Sequence, residues 1–195
     1  MRRVIVFVLS GALLLGPAAC GGGGGGGKPE PARSSGTGGT PAGGWPQGEN
    51  GVLDGRMCAI LTPDDFQKVH MTTGTPEVSD FQPEQQRIGV TCDYGLNDTL
   101  SLGLYPGPAG ARALYFTLFG RFQRARTDPV AGADESIFGA DPVMTGAYGL
   151  ALRRGRLILV INLDPKINKF TEDEARTAAV TLAGLVLERA PRLGR

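Results

Sequence analysis

Ala147-Tyr148-Gly149-Leu150-Ala151-Leu152-Arg153-Arg154-Gly155-Arg156-Leu157-Ile158-Leu159-Val160-Ile161-Asn162-Leu163-Asp164 carries the strongest folding signal in the chain. Two apolar runs flank a short basic turn that contains glycine. The spacing predicts a β-hairpin in which Ala147 to Arg153 pairs with Arg156 to Asp164 across Arg154-Gly155. The returning run Leu157-Ile158-Leu159-Val160-Ile161 is apolar on both of its faces. Such a strand belongs in the middle of a sheet, and helices are expected over one face of it.

Downstream, Phe170-Thr171-Glu172-Asp173-Glu174 is a capping box, with Thr171 at the cap and Glu174 reaching back. Ala175, Ala178, Ala179, Leu182 and Val186 continue one apolar stripe until Pro191 ends the helix. Upstream, Pro106-Gly107-Pro108 opens a helix with Ala111, Leu114, Tyr115, Leu118, Phe119 and Phe122 on one face and Arg112, Arg121 and Arg124 on the other. Before it, Ile88 to Tyr94 and Leu100 to Leu104 alternate apolar and polar residues around the turn residues Asn97-Asp98, which predicts a first hairpin. Thr62-Pro63-Asp64-Asp65 suits the start of a short helix running to about Val69. Residues 71–87, with Gly74, Pro76 and Pro83, read as a long loop, and Asp128-Pro129 through Glu135 as another.

The order helix, hairpin, helix, hairpin, helix predicts an α+β domain: an antiparallel sheet built from two hairpins, about three helices packed against it, and one disulfide. Hairpin followed by helix occurs twice, which hints at a pseudo-repeat, although the halves share no obvious residues.

The N-terminus reads as an export signal. Met1-Arg2-Arg3 is basic, Val4 to Leu15 is almost unbroken apolar sequence, and Gly16-Pro17-Ala18-Ala19 leads to Cys20. The apolar run is shorter than the roughly 20 residues a transmembrane helix needs. Small residues directly before a cysteine suit a lipoprotein signal peptidase, so Cys20 is the expected lipidation site. Gly21 to Gly27 are seven consecutive glycines, and Gly, Pro, Ser and Thr dominate as far as Asn50. The expected divisions are 1–19 signal peptide, 20–51 lipidated cysteine and flexible spacer, and 52–195 a single globular domain. Pro17 stands where a lipobox usually has Leu, which leaves cleavage and release of a soluble secreted protein as the alternative. General secretion is favoured over twin-arginine export, because Arg2-Arg3 is ordinary for a basic leader.

The chain has 20 basic and 19 acidic residues, and removing Arg2 and Arg3 leaves 18 against 19. Without a sustained basic surface, nucleic acid is not an expected partner. If Cys20 carries lipid, Cys58 and Cys92 remain as a pair, and in an oxidising compartment they are expected to form a disulfide. Two buried free thiols are the alternative. A zinc site has less support, because neither cysteine has a CxxC partner and His70 is the sole histidine.

Several of these features together resemble the domain-of-unknown-function 3558 family of actinobacterial lipoproteins. They are the cysteine followed by a Gly-rich spacer, Cys58-Ala59-Ile60-Leu61-Thr62-Pro63, Cys92-Asp93-Tyr94, Val130-Ala131-Gly132-Ala133-Asp134-Glu135, and Leu152-Arg153-Arg154-Gly155 before an apolar strand. The resemblance covers most of the mature chain. It implies an anchored extracytoplasmic domain and carries no reaction with it.

Residues able to do chemistry are sparse. His70 follows the first predicted helix, where a histidine caps or sits in solvent more often than it catalyses. No Gly-x-Ser-x-Gly elbow occurs, and the glycine run lacks the Lys and Ser/Thr of a phosphate loop. No metal or cofactor is expected: Asp64-Asp65 and Glu172-Asp173-Glu174 sit where helix starts favour acids. Asp134 and Glu135 stand apart, in a loop between elements, as possible binding residues, although capping a short helix would also explain them. Arg121, Arg124 and Arg126 with Arg153, Arg154 and Arg156 suggest a basic patch facing anionic envelope polymers, or simply a solvated face. Tyr94, Tyr105, Tyr115 and Tyr148 fit core packing better than a pocket. The expected function is that of a non-enzymatic, lipid-anchored domain at the extracytoplasmic face of the cell membrane, binding a small apolar ligand, an envelope component or a partner protein. A carboxylate-dependent envelope hydrolase using Asp134 and Glu135 is the alternative.

Overall fold

The computed structural model of the protein describes residues 52–95, 97–142 and 146–190; the expected signal peptide, Cys20, the spacer and Pro191 lie outside the described residues. Seven strands form one antiparallel sheet: β1 Glu77–Phe81, β2 Gly89–Asp93, β3 Thr99–Leu104, β4 Gln123–Thr127, β5 Glu135–Asp141, β6 Ala147–Arg154 and β7 Leu157–Leu163. Their spatial order is β1-β2-β3-β7-β6-β5-β4, so β7 lies in the middle, and all of its residues are buried. The helices among the described residues are α1 Pro63–Lys68, α2 Pro108–Arg121, α3 Pro165–Asn168 and α4 Glu172–Arg189, with short 3₁₀ turns at Gly55–Ile60 and Pro83–Gln85.

The α+β class holds, and β7 is central as its composition requires. Helices cover both faces of the sheet rather than one. Leu157, Leu159, Ile161 and Leu163 join a core with α4, α1 and the first 3₁₀ turn, whereas Ile158 and Val160 join a second core under α2. A strand that is apolar on both faces has to be dried on both, since burying each large aliphatic side chain is worth about 1.5–3 kcal/mol.

The expectation of two hairpins and about three helices falls short of the seven strands, and of the four α-helices and two 3₁₀ turns among the described residues. Both predicted hairpins exist, as β2 with β3 and β6 with β7. The second turns one residue later than expected: Arg154 pairs with Leu157, and the loop is Gly155-Arg156, with Gly155 at φ +57°. Within the segment read as a long loop, β1 pairs with β2. It is an edge strand whose residues are exposed or half-buried, so it shows no apolar alternation. Residues Gln123–Thr127, including Arg124, form the other edge strand, with a register irregularity between Gln123 and Arg126. Asp134-Glu135 does not cap a helix: Glu135 opens strand β5.

A three-stranded meander followed by a helix does occur twice, as β1-β2-β3-α2 and β5-β6-β7-α4 with α3 between. The two long helices lie on opposite faces of the sheet, because α2 has to carry the chain from central β3 to β4 on the far edge. Gly139 and Gly149 permit this crossing: a Cβ on Gly139 would stand 2.8 Å from the Gln123 carbonyl oxygen, and one on Gly149 2.5 Å from the Phe122 ring. Phe119, expected on the buried face of α2, is 43 % exposed, whereas Ala111, Leu114, Tyr115 and Leu118 are buried. The capping box is as expected, with Glu174 Oε2 accepting from Thr171 N at 2.8 Å and Glu174 N donating to Thr171 Oγ1 at 3.3 Å.

Candidate functional site

Cys58, in the first 3₁₀ turn, and Cys92, in β2, form the disulfide, with Cα atoms 5.4 Å apart and both residues buried. Tyr94 reinforces the same junction: its hydroxyl donates to the Cys58 carbonyl at 2.9 Å and its ring packs on Phe66. The other tyrosines also serve packing. Tyr115 is buried beneath α2, Tyr148 stacks on Phe138, and Tyr105 packs against the α2 core.

Asp134 and Glu135 come together on one arginine. Arg153 bonds Glu135 Oε2 at 2.7 Å and Asp134 Oδ2 at 3.0 Å, and Asp134 Oδ2 also accepts from Gly155 N at 2.7 Å. Arg112 reaches Glu135 from α2 at 3.3 Å. The pair therefore ties the start of β5 to the β6–β7 turn. Hydrogen bonding from Arg153 outweighs partial burial and holds the Glu135 carboxyl below its usual range. That is the reverse of what a general acid needs.

The other arginines of the suggested patch are likewise engaged. Arg121 pairs with Asp141, Arg124 with Glu172, and Arg126 with Glu172 and Asp173. Arg154 donates to the Leu187 carbonyl and Arg156 to that of Tyr105. His70 ends α1: it takes φ +62°, donates to the Gln67 carbonyl, and is followed by a Met71 N–H bonded back to Phe66. These two bonds make a Schellman cap, with His70 in its left-handed position. A groove of about 530 Å³ lies beside it, bordered by Lys68, Lys169, Phe170 and Thr177, and a second hollow of about 500 Å³ lies between Thr72–Thr75 and the β2–β3 turn. Among the described residues no cluster of three His, Cys, Asp or Glu side chains is placed to hold a metal ion.

Sequence reasoning missed Asp98, treating it only as turn chemistry. Asp65, Asp98, Asp128 and Asp141 are the buried aspartates among the described residues. Asp65, Asp128 and Asp141 each face an arginine, whereas Asp98 accepts from the Asp164 backbone N–H at 2.8 Å and from the Asn168 amide at 2.9 Å. Burial pushes its carboxyl up to about 6; the two hydrogen bonds oppose this, and the charges of Asp164 and Asp93 add to it. A raised folded-state value means that stability present below the unfolded value of 3.8 is lost as pH rises through about 6. The loss is on the order of 3 kcal/mol at 1.36 kcal/mol per unit. Asp98→Asn is therefore expected to gain stability relative to the parent as pH is raised from 4 to 7, as read by urea midpoints. A difference that stays flat over that range would refute the assignment.

The arrangement best suited to receive a ligand is the polar half of the α2-side sheet face. Thr99 pairs with Asn162 and Ser101 with Val160, so these side chains share the face of Val160. The same register places Asp93 beside Thr99 and Thr91 beside Ser101. Burial deepens from exposed Glu77 and Ser79 on β1, through half-buried Asp93, Thr91 and Thr99, to buried Ser101 and Asn162. Two hydrogen bonds order the face: Thr91 Oγ1 with Ser101 Oγ at 2.8 Å, and Asn162 Nδ2 to Thr99 Oγ1 at 3.2 Å. The signal in the sequence was Asn162 itself, a primary amide inside the otherwise apolar run Leu157–Leu163. Comparison with known proteins returned no matching family model, no matching curated protein and no matching solved structure.

Proposed function

We propose that the protein is a membrane-anchored extracytoplasmic lipoprotein whose domain is a non-enzymatic binding or envelope-accessory module, in keeping with its resemblance to the domain-of-unknown-function 3558 family. The Cys58–Cys92 disulfide carries this reading. Such a bond suits an oxidising compartment and leaves Cys20 as the one cysteine outside it, directly after signal-like sequence. No helix among the described residues is long and apolar enough to cross a membrane. The attachment in this reading is a lipid on Cys20. A diacyl chain pair meets the need for more than one acyl chain in stable anchoring. The hydrolase alternative has less support, because Arg153 engages both Asp134 and Glu135.

Mass spectrometry of the mature N-terminus is expected to show diacylglycerol on Cys20. Cys20→Ser should move the protein from the membrane to the soluble fraction. An unmodified Cys20, or cleavage elsewhere, would replace anchoring with secretion.

A further inference from the structure

Asn162 Oδ1 is the buried side-chain polar atom without a hydrogen-bond partner among the described residues. Asn162 is 7 % exposed, and its Oδ1 lies 3.0 Å from where a Cβ on Gly149 would be. In the orientation that places Nδ2 on Thr99, Oδ1 lacks a protein partner, at a cost of about 1–3 kcal/mol. A leucine or valine would fill the middle of the sheet without that cost, as its neighbours do. An unsatisfied buried group of this kind calls for a partner from outside the chain.

We infer that this face binds an uncharged, hydroxyl-rich ligand, a saccharide, whose innermost hydroxyl or amide meets Asn162. The chemistry of the face selects that class. Thr91, Ser101 and Thr99 can each donate and accept, Asp93 accepts, and Asn162 offers one amide atom, matching the alternating donors and acceptors of a sugar ring. No lysine or arginine stands in the rows Glu77-Asp93-Thr99-Asn162-Gly149 or Ser79-Thr91-Ser101-Val160 to neutralise an anion. Gly149 floors the inner end, and the Phe122 ring edge, 2.5 Å from the absent Cβ position, walls it. An aromatic wall suits the C–H face of a sugar. Oδ1 is shielded from solvent, so contact with it requires the Phe122 ring to turn aside. The graded burial from β1 inward gives the path of entry.

This inference deepens the reading of the domain as an envelope-binding module, but its test does not depend on the anchor. The mature full-length protein in detergent micelles, labelled for amide NMR, is titrated with chitotriose and with maltotriose. At least one is expected to give saturable shifts at the Asn162 side-chain amide, Thr99 and Ser101. Asn162→Leu, which removes the unsatisfied group without loss of volume, should weaken binding at least about tenfold, the equivalent of 1.4 kcal/mol. Thr99→Val should weaken it as well, while Thr177→Ala on α4 leaves it unchanged. Absence of saturable shifts with both sugars, shifts confined to another surface, or unchanged affinity in Asn162→Leu and Thr99→Val would overturn the assignment. Sugar binding with an unmodified Cys20 refutes anchoring alone, and a lipidated Cys20 without sugar binding refutes this site alone.

Discussion

Replacing Cys58 and Cys92 together by alanine is expected to lower the unfolding free energy by about 4 kcal/mol, the chain-entropy value for a closed loop of this size. The two cysteines are 34 residues apart in sequence. A domain of this kind is stable by only about 5–15 kcal/mol, so the loss is a large share of the total. The part released first should be the segment from Leu53 to Met71. The bond holds its 3₁₀ turn to β2, and other ties there include Tyr94 to Cys58, Phe66 against Tyr94, Arg189 to Asp65 and to the Ile60 carbonyl, and packing of Leu53, Met57 and Ile60 in the core. Guanidinium unfolding with amide exchange checks both points. A loss under 1 kcal/mol, or uniform loss of protection across the sheet, would mean that the segment is held mainly by packing.

The second large effect is expected at Asp65. Its carboxylate is 1 % exposed and accepts from Thr62 N at 2.9 Å, Thr62 Oγ1 at 2.8 Å, Lys68 Nζ at 3.2 Å and both terminal nitrogens of Arg189, with Nη2 at 2.8 Å. The carboxylate thus caps α1 at its start and joins it to the last turn of α4. Removing one member of a buried ion pair typically costs about 3–5 kcal/mol, because the other is left without compensation. Asp65→Ala should fall in that range, as should Arg189→Ala, and the double variant should cost less than the sum. Hydrogen bonding from Arg189, with help from Thr62 and Lys68, holds the Asp65 carboxyl far below its usual range despite burial. A lowered folded-state value contributes stability that is present above about pH 4 and lost as pH falls. Asp65→Asn should therefore flatten the acid limb of the stability curve below pH 4, while the Asp98 contribution acts between pH 4 and about 6. Additive single-variant losses would show that Asp65 and Arg189 do not act as a pair.

The elements legible in the sequence are those whose residues face a core. The stripe on α4, the leucines of β3 and the doubly apolar β7 are buried, and all three elements are where expected. Strands β1 and β4 left no such trace, because Glu-Val-Ser-Asp-Phe and Gln-Arg-Ala-Arg-Thr lie at the two edges and are held by backbone ladders. Strand β5 was hidden for another reason. Ile137 and Phe138 are adjacent, one in each core, so no alternation appears. Of the candidate sites, the cysteine pair was legible through parity. Asp134 and Glu135 were noticed for their loop-like setting but, once folded, they hold Arg153.

By itself the sequence determined the local order of the chain: the helix starts at Thr62 and Thr171, the β2–β3 and β6–β7 hairpins to within a residue, the central place of β7 and, given lipid on Cys20, the expected pairing of Cys58 with Cys92. These follow from signals within a few residues of one another, or from counting. The tertiary structure alone decided which face each helix covers, which arginine meets which buried aspartate, and that Thr99, Asn162 and Gly149 stand side by side on neighbouring strands. Those juxtapositions depend on the spatial order of the strands, which places β3 next to β7 although about fifty residues separate them. Pairing at that distance is set by the fit of two whole surfaces, and no short window of sequence contains it.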